Sequence, residues 1–245
     1  MKKSISTWSF PSTWDLRTQF SAARKAGFSG FEVALDEKGP VSLRSSRKEL
    51  TAVRRWADQE KLVLSGLATG LYWGANAASE NPVNRRRATE ILQRQIEVAG
   101  ILGIDAVLVV PGAVGVDFIP GCETVPYETV YQRASAFLRT ALLAAEKQRV
   151  TLGVENVWNK FLLSPLEMRG FIDQFGSERI AAYFDVGNAL ATGYPEHWID
   201  LLGKRIVRVH FKDYRRAVGS ADGFCDLLSG DVNWPAVVHA LRAIA

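Results

Sequence analysis

Three stretches of this sequence close an apolar run with an ionisable side chain: VTLGVENVW at Glu155, IAAYFDVGN at Asp185 and IVRVHFKDY at His210. Two carboxylates and one imidazole make a hard, oxygen-rich donor set with positions left open. Such a set suits Mn²⁺, Mg²⁺ or Co²⁺ and accepts Zn²⁺. The separations are 30 residues from Glu155 to Asp185 and 25 from Asp185 to His210. Each is the length of one strand-plus-helix unit, so consecutive strands would bring the three side chains to one place. Taken singly, each has a plainer role: an acid at a strand end caps the following helix, and a lone His is a satisfied polar group. His197 and His239, in helical or loop context, are read in that second way.

The elements that would position the triad are legible. Apolar, β-branched runs at residues 4–8, 28–35, 62–67, 106–110, 151–157, 180–186 and 206–211 alternate with helical stretches, which is the signature of a parallel sheet. Residues 15–25 place Leu16, Phe20 and Ala23 on one face before Gly27. Residues 84–102 place Ile91, Ile96, Val98 and Leu102 in helical register before Gly103. Helices are also expected over 127–148, over 165–175 before Gly176, and over 234–244. The glycines stand where a helix stops in a left-handed cap. Successive short parallel strands favour a closed (β/α) barrel over an open sheet. In such a barrel the C-terminal strand ends converge on the active site. No GxGxxG or GxxxxGK[ST] fingerprint follows the first strand, which counts against nucleotide-binding folds and flavin or nicotinamide chemistry.

The expected architecture is one α/β domain over residues 1–245, a (β/α) TIM-type barrel with seven strands visible. An eighth strand would need roughly ten further residues, so the barrel is expected to be C-terminally incomplete or open between its first and seventh strands. At 245 residues, 47% hydrophobic and 23% charged, the chain suits a soluble globular protein. It shows neither a signal-type apolar run nor an apolar stretch of membrane-span length, which gives a cytoplasmic expectation with no membrane partner. Cys122 and Cys225 stand far apart without CxxC or CxxH neighbours and read as free thiols. The net charge of +4 could accompany nucleic-acid or phosphate binding. Its densest runs, Arg54-Arg55 and Arg85-Arg86-Arg87, fall in helical patterns and read as solvated faces.

The stretches GVENVWNKFLLSPLEMRGFID, YFDVGNA, VHFKDYRR and FCDLLSGDVNWPAVVHALRAI carry a resemblance to the sugar phosphate isomerase and epimerase family, of xylose isomerase-like fold. That family includes the tagatose and psicose 3-epimerases and the L-xylulose-5-phosphate 3-epimerases. The likeness is strongest in the C-terminal half and looser in the first, where GFSGFEVAL fits. It implies one divalent metal ion, Mn²⁺ foremost, held by Glu155, Asp185 and His210, and a small sugar or sugar phosphate as substrate. Glu155 would be the base that takes a proton beside a ketose carbonyl, leading to an enediolate. The family's fourth ligand, a second Glu on the last strand, has no counterpart here. Return of the proton to the opposite face of the carbon is the task of that residue, so a single base permits aldose–ketose isomerisation but not inversion. A barrel that binds sugar without turnover is therefore the alternative. Apurinic-site endonucleases share the superfamily but resemble a trinuclear zinc design rich in histidine, whereas this chain has three His. Nucleic acid is accordingly not an expected partner. Family members are often dimers or tetramers, and an open sheet edge is a further reason for a homo-oligomer.

Further positions join the expected substrate side. Asn188 stands three residues beyond Asp185, with a turn hydrogen bond as its plainer role. Lys212 shares a strand face with His210 and could meet a phosphate or hydroxyl. Arg216 matches the spacing of the family's substrate-contacting Arg, while Arg215 reads as solvated. Glu32, ending the second strand, could reach the site as a supporting acid or serve a structural hydrogen bond. Trp8, Phe10, Tyr72 and Trp73 follow the first and third strands, where aromatics either wall a sugar pocket or pack in the core.

Overall fold

The computed structural model describes residues 2–245. Seven strands form one sheet: β1 Ser4–Ser6, β2 Gly30–Leu35, β3 Val63–Thr69, β4 Ala106–Val109, β5 Thr151–Glu155, β6 Ile180–Asp185 and β7 Ile206–His210. Their spatial order is their sequence order and every pair is parallel. The sheet curls into a barrel whose edges are β1 and β7; no eighth strand joins them among the described residues. Helices α1 Leu16–Lys25, α2 Arg47–Gln59, α3 Pro82–Leu102, α4 Tyr127–Gln148, α5 Pro165–Asp173, α6 Val186–Ala189, α7 Pro195–Leu202 and α8 Trp234–Ala243 accompany the strands.

The helices begin where capping chemistry is available. Asp15 accepts from the Thr18 amide at the start of α1, and Ser46 forms a reciprocal capping box with Glu49 at α2. Asn81 caps α3 with Pro82 in its first turn. Gly27, Gly103 and Gly176 all take positive φ where helices give way to strands. α4 instead ends at Arg149, a left-handed residue that is not glycine. α3 starts two residues earlier than the sequence pattern suggests, at Pro82.

Alternation along the strands divides the two faces. Phe31, Val33 and Leu35 of β2 turn toward the helices; Phe31 meets Phe20 of α1 edge-on, with ring centres 4.7 Å apart. The same holds for Leu152 and Val154 of β5 and for Ala182 and Phe184 of β6, all buried. The other face carries Glu32, Gly153, Glu155, Tyr183, Asp185, Arg208 and His210 into the barrel interior. Low in that interior, Arg208 donates to the Ser65 carbonyl and pairs with Asp105, tying β7 to β3 and to the entry of β4.

The sequence pattern gave no hint of a small antiparallel hairpin, β8 Asp213–Tyr214 with β9 Phe224–Cys225, nor of α7. Two-residue strands and an eight-residue helix carry too little periodicity to stand out. The hairpin is organised by one buried carboxylate. Asp213 accepts from the amides of Tyr214, Val232 and Leu228 and from the Trp234 indole. Burial alone would raise its pKa, but these hydrogen bonds outweigh it and hold the group below the ordinary carboxylate range.

The basic runs are engaged at helix faces: Arg54 pairs with Asp58, Arg87 with Glu37 and Glu90, and Arg85 donates to the carbonyls of Ser79 and Glu80. Cys122 and Cys225 are both free. No helix among the described residues is long and apolar enough to cross a membrane.

Candidate functional site

Glu155 ends β5, Asp185 ends β6 and His210 ends β7. β5 pairs with β6 in register Glu155↔Tyr183, and β6 with β7 in register Asp185↔His210. Three strand ends therefore lie side by side at the C-terminal rim. One ligand atom from each of the three residues falls within 4.8 Å of the others. His210 Nδ1 is 3.1 Å from Glu155 Oε1 and 3.9 Å from Asp185 Oδ2. Glu155 and Asp185 are buried, and His210 is mostly so.

Asp185 serves two purposes at once. Its Oδ1 accepts from the Asn188 amide at 2.8 Å, capping the short helix α6. Its Oδ2 is completely buried and forms an ion pair with Lys212 Nζ at 2.8 Å. A buried carboxylate oxygen with one ammonium partner, beside a second carboxylate and an imidazole, is an arrangement that a cation also satisfies. The capping role and membership of the cluster are thus compatible, because different oxygens carry them.

Asn156, adjacent to Glu155, fixes the Asp185 backbone from both sides. Its Nδ2 donates to the Asp185 carbonyl at 2.8 Å and its Oδ1 accepts from the Asp185 amide at 2.7 Å. Asn188 in turn donates its side-chain amide to the Asn156 carbonyl at 2.9 Å. Gly187 lets this turn approach β7: a Cβ there would lie 2.7 Å from Lys212 Cβ and 2.9 Å from the Lys212 carbonyl.

The third carboxylate near His210 comes from across the barrel. Glu32 of β2 reaches His210 Nε2 at 3.0 Å and accepts from the Tyr183 hydroxyl. Burial acts against ionisation of Glu32, but the positive His210 ring and hydrogen bonds from His210, Tyr183 and Ser6 outweigh it, so its pKa falls. For His210 the balance is similar. Burial disfavours the imidazolium, yet Glu32 and Glu155 together raise the pKa well above the ordinary histidine value. Burial also opposes the Lys212 charge, and Asp185, Glu155 and Glu32 overcome it, raising that pKa too.

Above the cluster lies a small cavity of about 170 Å³, lined by Glu155, Lys212, Asn188, Trp8, Trp73 and Thr69 among others. A larger cavity of about 690 Å³ adjoins it, sharing Phe118, Val157, Trp158, Asn188 and Ala221. None of Glu155, Asp185 or His210 lines the larger space, so the small inner chamber is where chemistry would occur. Arg216 lines the outer chamber, its guanidinium 4.6 Å from the Tyr194 ring centre, away from the carboxylates. Arg215 is exposed and donates to the Ser229 carbonyl.

The aromatics divide. Trp8, 56% exposed, and Trp73 face the inner cavity. Tyr72 is buried and donates to Gln95, and Phe10 stacks on Phe31, so both belong to the core packing. Asn156, Tyr183 and Trp158 were not singled out in the sequence. The position of Asn156 directly after Glu155, and of Tyr183 two residues before Asp185 on the same strand face, are the signals that point to two of them.

No curated protein matches the chain by sequence. Among solved structures, D-psicose 3-epimerase in the presence of D-fructose superposes with a TM-score of 0.82 at 18% identity, over 100% of this chain and 81% of the other. D-psicose 3-epimerase with D-tagatose from Clostridium cellulolyticum H10 gives 0.81 at 16% identity, over 100% and 81%. The IOLI protein with a bound zinc atom gives 0.79 at 13% identity, over 100% and 86%. At these identities the likeness concerns the fold. In sequence, the model of the xylose isomerase-like TIM barrel matches residues 20–245, and the chain belongs to that family.

Proposed function

We propose that this protein is a divalent-metal-dependent isomerase or epimerase of a small ketose or ketose phosphate, working by proton transfer at the carbon beside the carbonyl. The observation that carries the reading is the meeting of Glu155, Asp185 and His210 within 4.8 Å, with Asp185 Oδ2 fully buried among them. The two carboxylates and the imidazole fit a hard divalent cation, with Mn²⁺, Mg²⁺, Co²⁺ and Zn²⁺ all suited to the set. Such an ion, when bound, supplies Lewis acidity that makes a proton next to a carbonyl easier to remove.

The chain's own residues supply the rest. Glu155 lines the inner chamber and is placed to accept the proton. Lys212, which lines the same chamber, offers positive charge to a substrate oxygen that gains electron density. Trp8 and Trp73 line the chamber and offer apolar faces to a sugar ring. Among the described residues Glu155 is the one carboxylate lining this chamber. A single base returns the proton to the face it left, which is the geometry of aldose–ketose isomerisation. Epimerisation needs a second acid on the other face, and the 3-epimerases of similar fold make it the neighbouring alternative. The likeness to structures obtained with D-fructose and D-tagatose supports a keto sugar as the substrate class.

The test is metal analysis of protein purified without chelator, followed by incubation with ketoses and ketose phosphates in D₂O. The expected result is about one divalent ion per chain, lost in Glu155→Ala and His210→Ala, and deuterium entering one carbon-bound position next to the carbonyl. Migration of the carbonyl to the neighbouring carbon marks isomerisation, and inversion at the exchanging carbon marks epimerisation. Absence of both metal and exchange would leave the binding-only barrel as the reading.

A further inference from the structure

Glu32 and Tyr183 lie outside the three-residue cluster, yet both are buried in the barrel interior, 4% and 2% exposed. We propose that Tyr183 and Glu32 are positioning residues that lock the His210 ring, turning Nδ1 toward Glu155 and Asp185 as the ligand atom and holding the Nε2–H of the metal-loaded site. The assignment rests on the metal-site reading above and adds the device that pre-sets its imidazole ligand.

The argument is one of donors and acceptors. An ionised carboxylate only accepts hydrogen bonds, and a neutral imidazole has one N–H and one acceptor nitrogen. Both Glu32 oxygens face His210 Nε2, at 3.1 Å and 3.0 Å, and Nδ1 faces Glu155 Oε1 at 3.1 Å. Nδ1 is the nitrogen on the side of the three-residue cluster, so a cation held there would take its lone pair. The remaining N–H is then on Nε2, where the Glu32 carboxylate accepts it. Carboxylates that hold the far nitrogen of a metal-ligating His in this way raise the basicity of the ligand and fix the plane of its ring.

Glu32 is itself held. Tyr183 of β6 donates its hydroxyl to Glu32 Oε2, and its ring meets the His210 ring edge-on, centres 4.9 Å apart. Tyr183 reaches across the interior because two strands leave its path clear. A Cβ on Gly153 of β5 would lie 2.8 Å from the Tyr183 ring, and one on Gly66 of β3 would overlap the Tyr183 hydroxyl. Burial and the Glu32 charge both raise the Tyr183 pKa, which keeps it a donor.

The experiment is Co²⁺ titration of wild type, Glu32→Gln and Tyr183→Phe, read by visible absorbance and calorimetry, with thermal melts of each metal-free protein alongside. Glu32→Gln is expected to weaken Co²⁺ binding by about 10–100-fold, and Tyr183→Phe by a smaller factor, in protein that is still folded. In ¹⁵N spectra of the Zn²⁺-loaded wild type, His210 should carry its proton on Nε2. That measurement stands even where a variant folds poorly, since the chain has only three His to assign. Wild-type Co²⁺ affinity in folded Glu32→Gln, or a proton on Nδ1 in the loaded wild type, overturns the relay while leaving the metal site intact. Failure of the wild type to bind Co²⁺ overturns both.

Discussion

Replacing Asp213 by Asn keeps the shape of the side chain and removes one acceptor from a place where both are used. Oδ1 accepts from Tyr214 N at 2.8 Å and Val232 N at 3.2 Å; Oδ2 accepts from Leu228 N at 2.9 Å and Trp234 Nε1 at 3.0 Å. In the variant one oxygen becomes an NH₂ group, which faces two N–H donors whichever way the amide turns. Each buried donor left without a partner costs about 1–3 kcal/mol. Two of them give about 2–6 kcal/mol, and relaxation of the loop brings the expected loss toward the lower half of that span, about 3 kcal/mol.

The pH dependence has a definite sign. Asp213 has a lowered pKa in the folded chain, so its stabilisation is complete above the unfolded value of about 3.9. It is lost as pH falls through the lower folded value. Urea unfolding followed by tryptophan fluorescence should therefore show the full gap between wild type and Asp213→Asn near neutral pH, and a shrinking gap below about pH 4. Trp234 and Trp158, which meets Tyr214 edge-on at 5.0 Å, report on the segment directly. A neutral-pH loss under about 1 kcal/mol, or a gap that does not shrink in acid, would refute the account of Asp213 as the organiser of this segment.

Two further outcomes follow from the geometry of the rim. In Gly187→Ala the new methyl meets Lys212 Cβ and the Lys212 carbonyl; overpacking against backbone should cost about 1–3 kcal/mol of stability and lower deuterium exchange by displacing the Lys212 ammonium from Asp185. Addition of Mn²⁺ or Co²⁺ at about a hundred times its dissociation constant should stabilise the wild type by about 2.7 kcal/mol, a rise in melting temperature of roughly 5–10 °C at about 2–4 °C per kcal/mol for a chain of this size, and Asp185→Asn should remove that rise.

The strand-helix rhythm was legible because each unit repeats the same contrast: apolar runs bounded by caps and glycines, as at Asp15, Gly27 and Gly103. The convergence of Glu155, Asp185 and His210 was legible for the same reason, since one-unit spacing on parallel strands fixes neighbouring ends. The interior partners were harder to see. Glu32 and His210 are 178 residues apart and meet across the barrel, a contact that depends on curvature and on Gly66 and Gly153 leaving room. The β8–β9 hairpin was hidden because an interior carboxylate with four donors organises it, a cause that leaves no period in the sequence. Tyr72 and Phe10 show the converse limit: aromatic residues after a strand read equally well as cavity wall or core, and the Gln95 hydrogen bond and the Phe31 stack place these two in the core.

The polar interior is costly unless its charges are compensated, and that constrains what the site is for. Counted as ionised, Glu32, Glu155 and Asp185 bring three negative charges to a space where Lys212 supplies one positive charge. A proton on His210 offsets a second, consistent with the raised pKa that Glu32 and Glu155 impose on it. One negative charge then remains. A divalent cation bound at Nδ1 needs the lone pair that this proton occupies, so metal uptake releases the proton. The sum then closes: three carboxylates against Lys212 and a dipositive ion. A barrel evolved only for packing would fill these inward positions with branched aliphatic side chains. Here two of them are glycines that make way for a tyrosine, and the three carboxylates gathered beside it leave negative charge for a dication to neutralise.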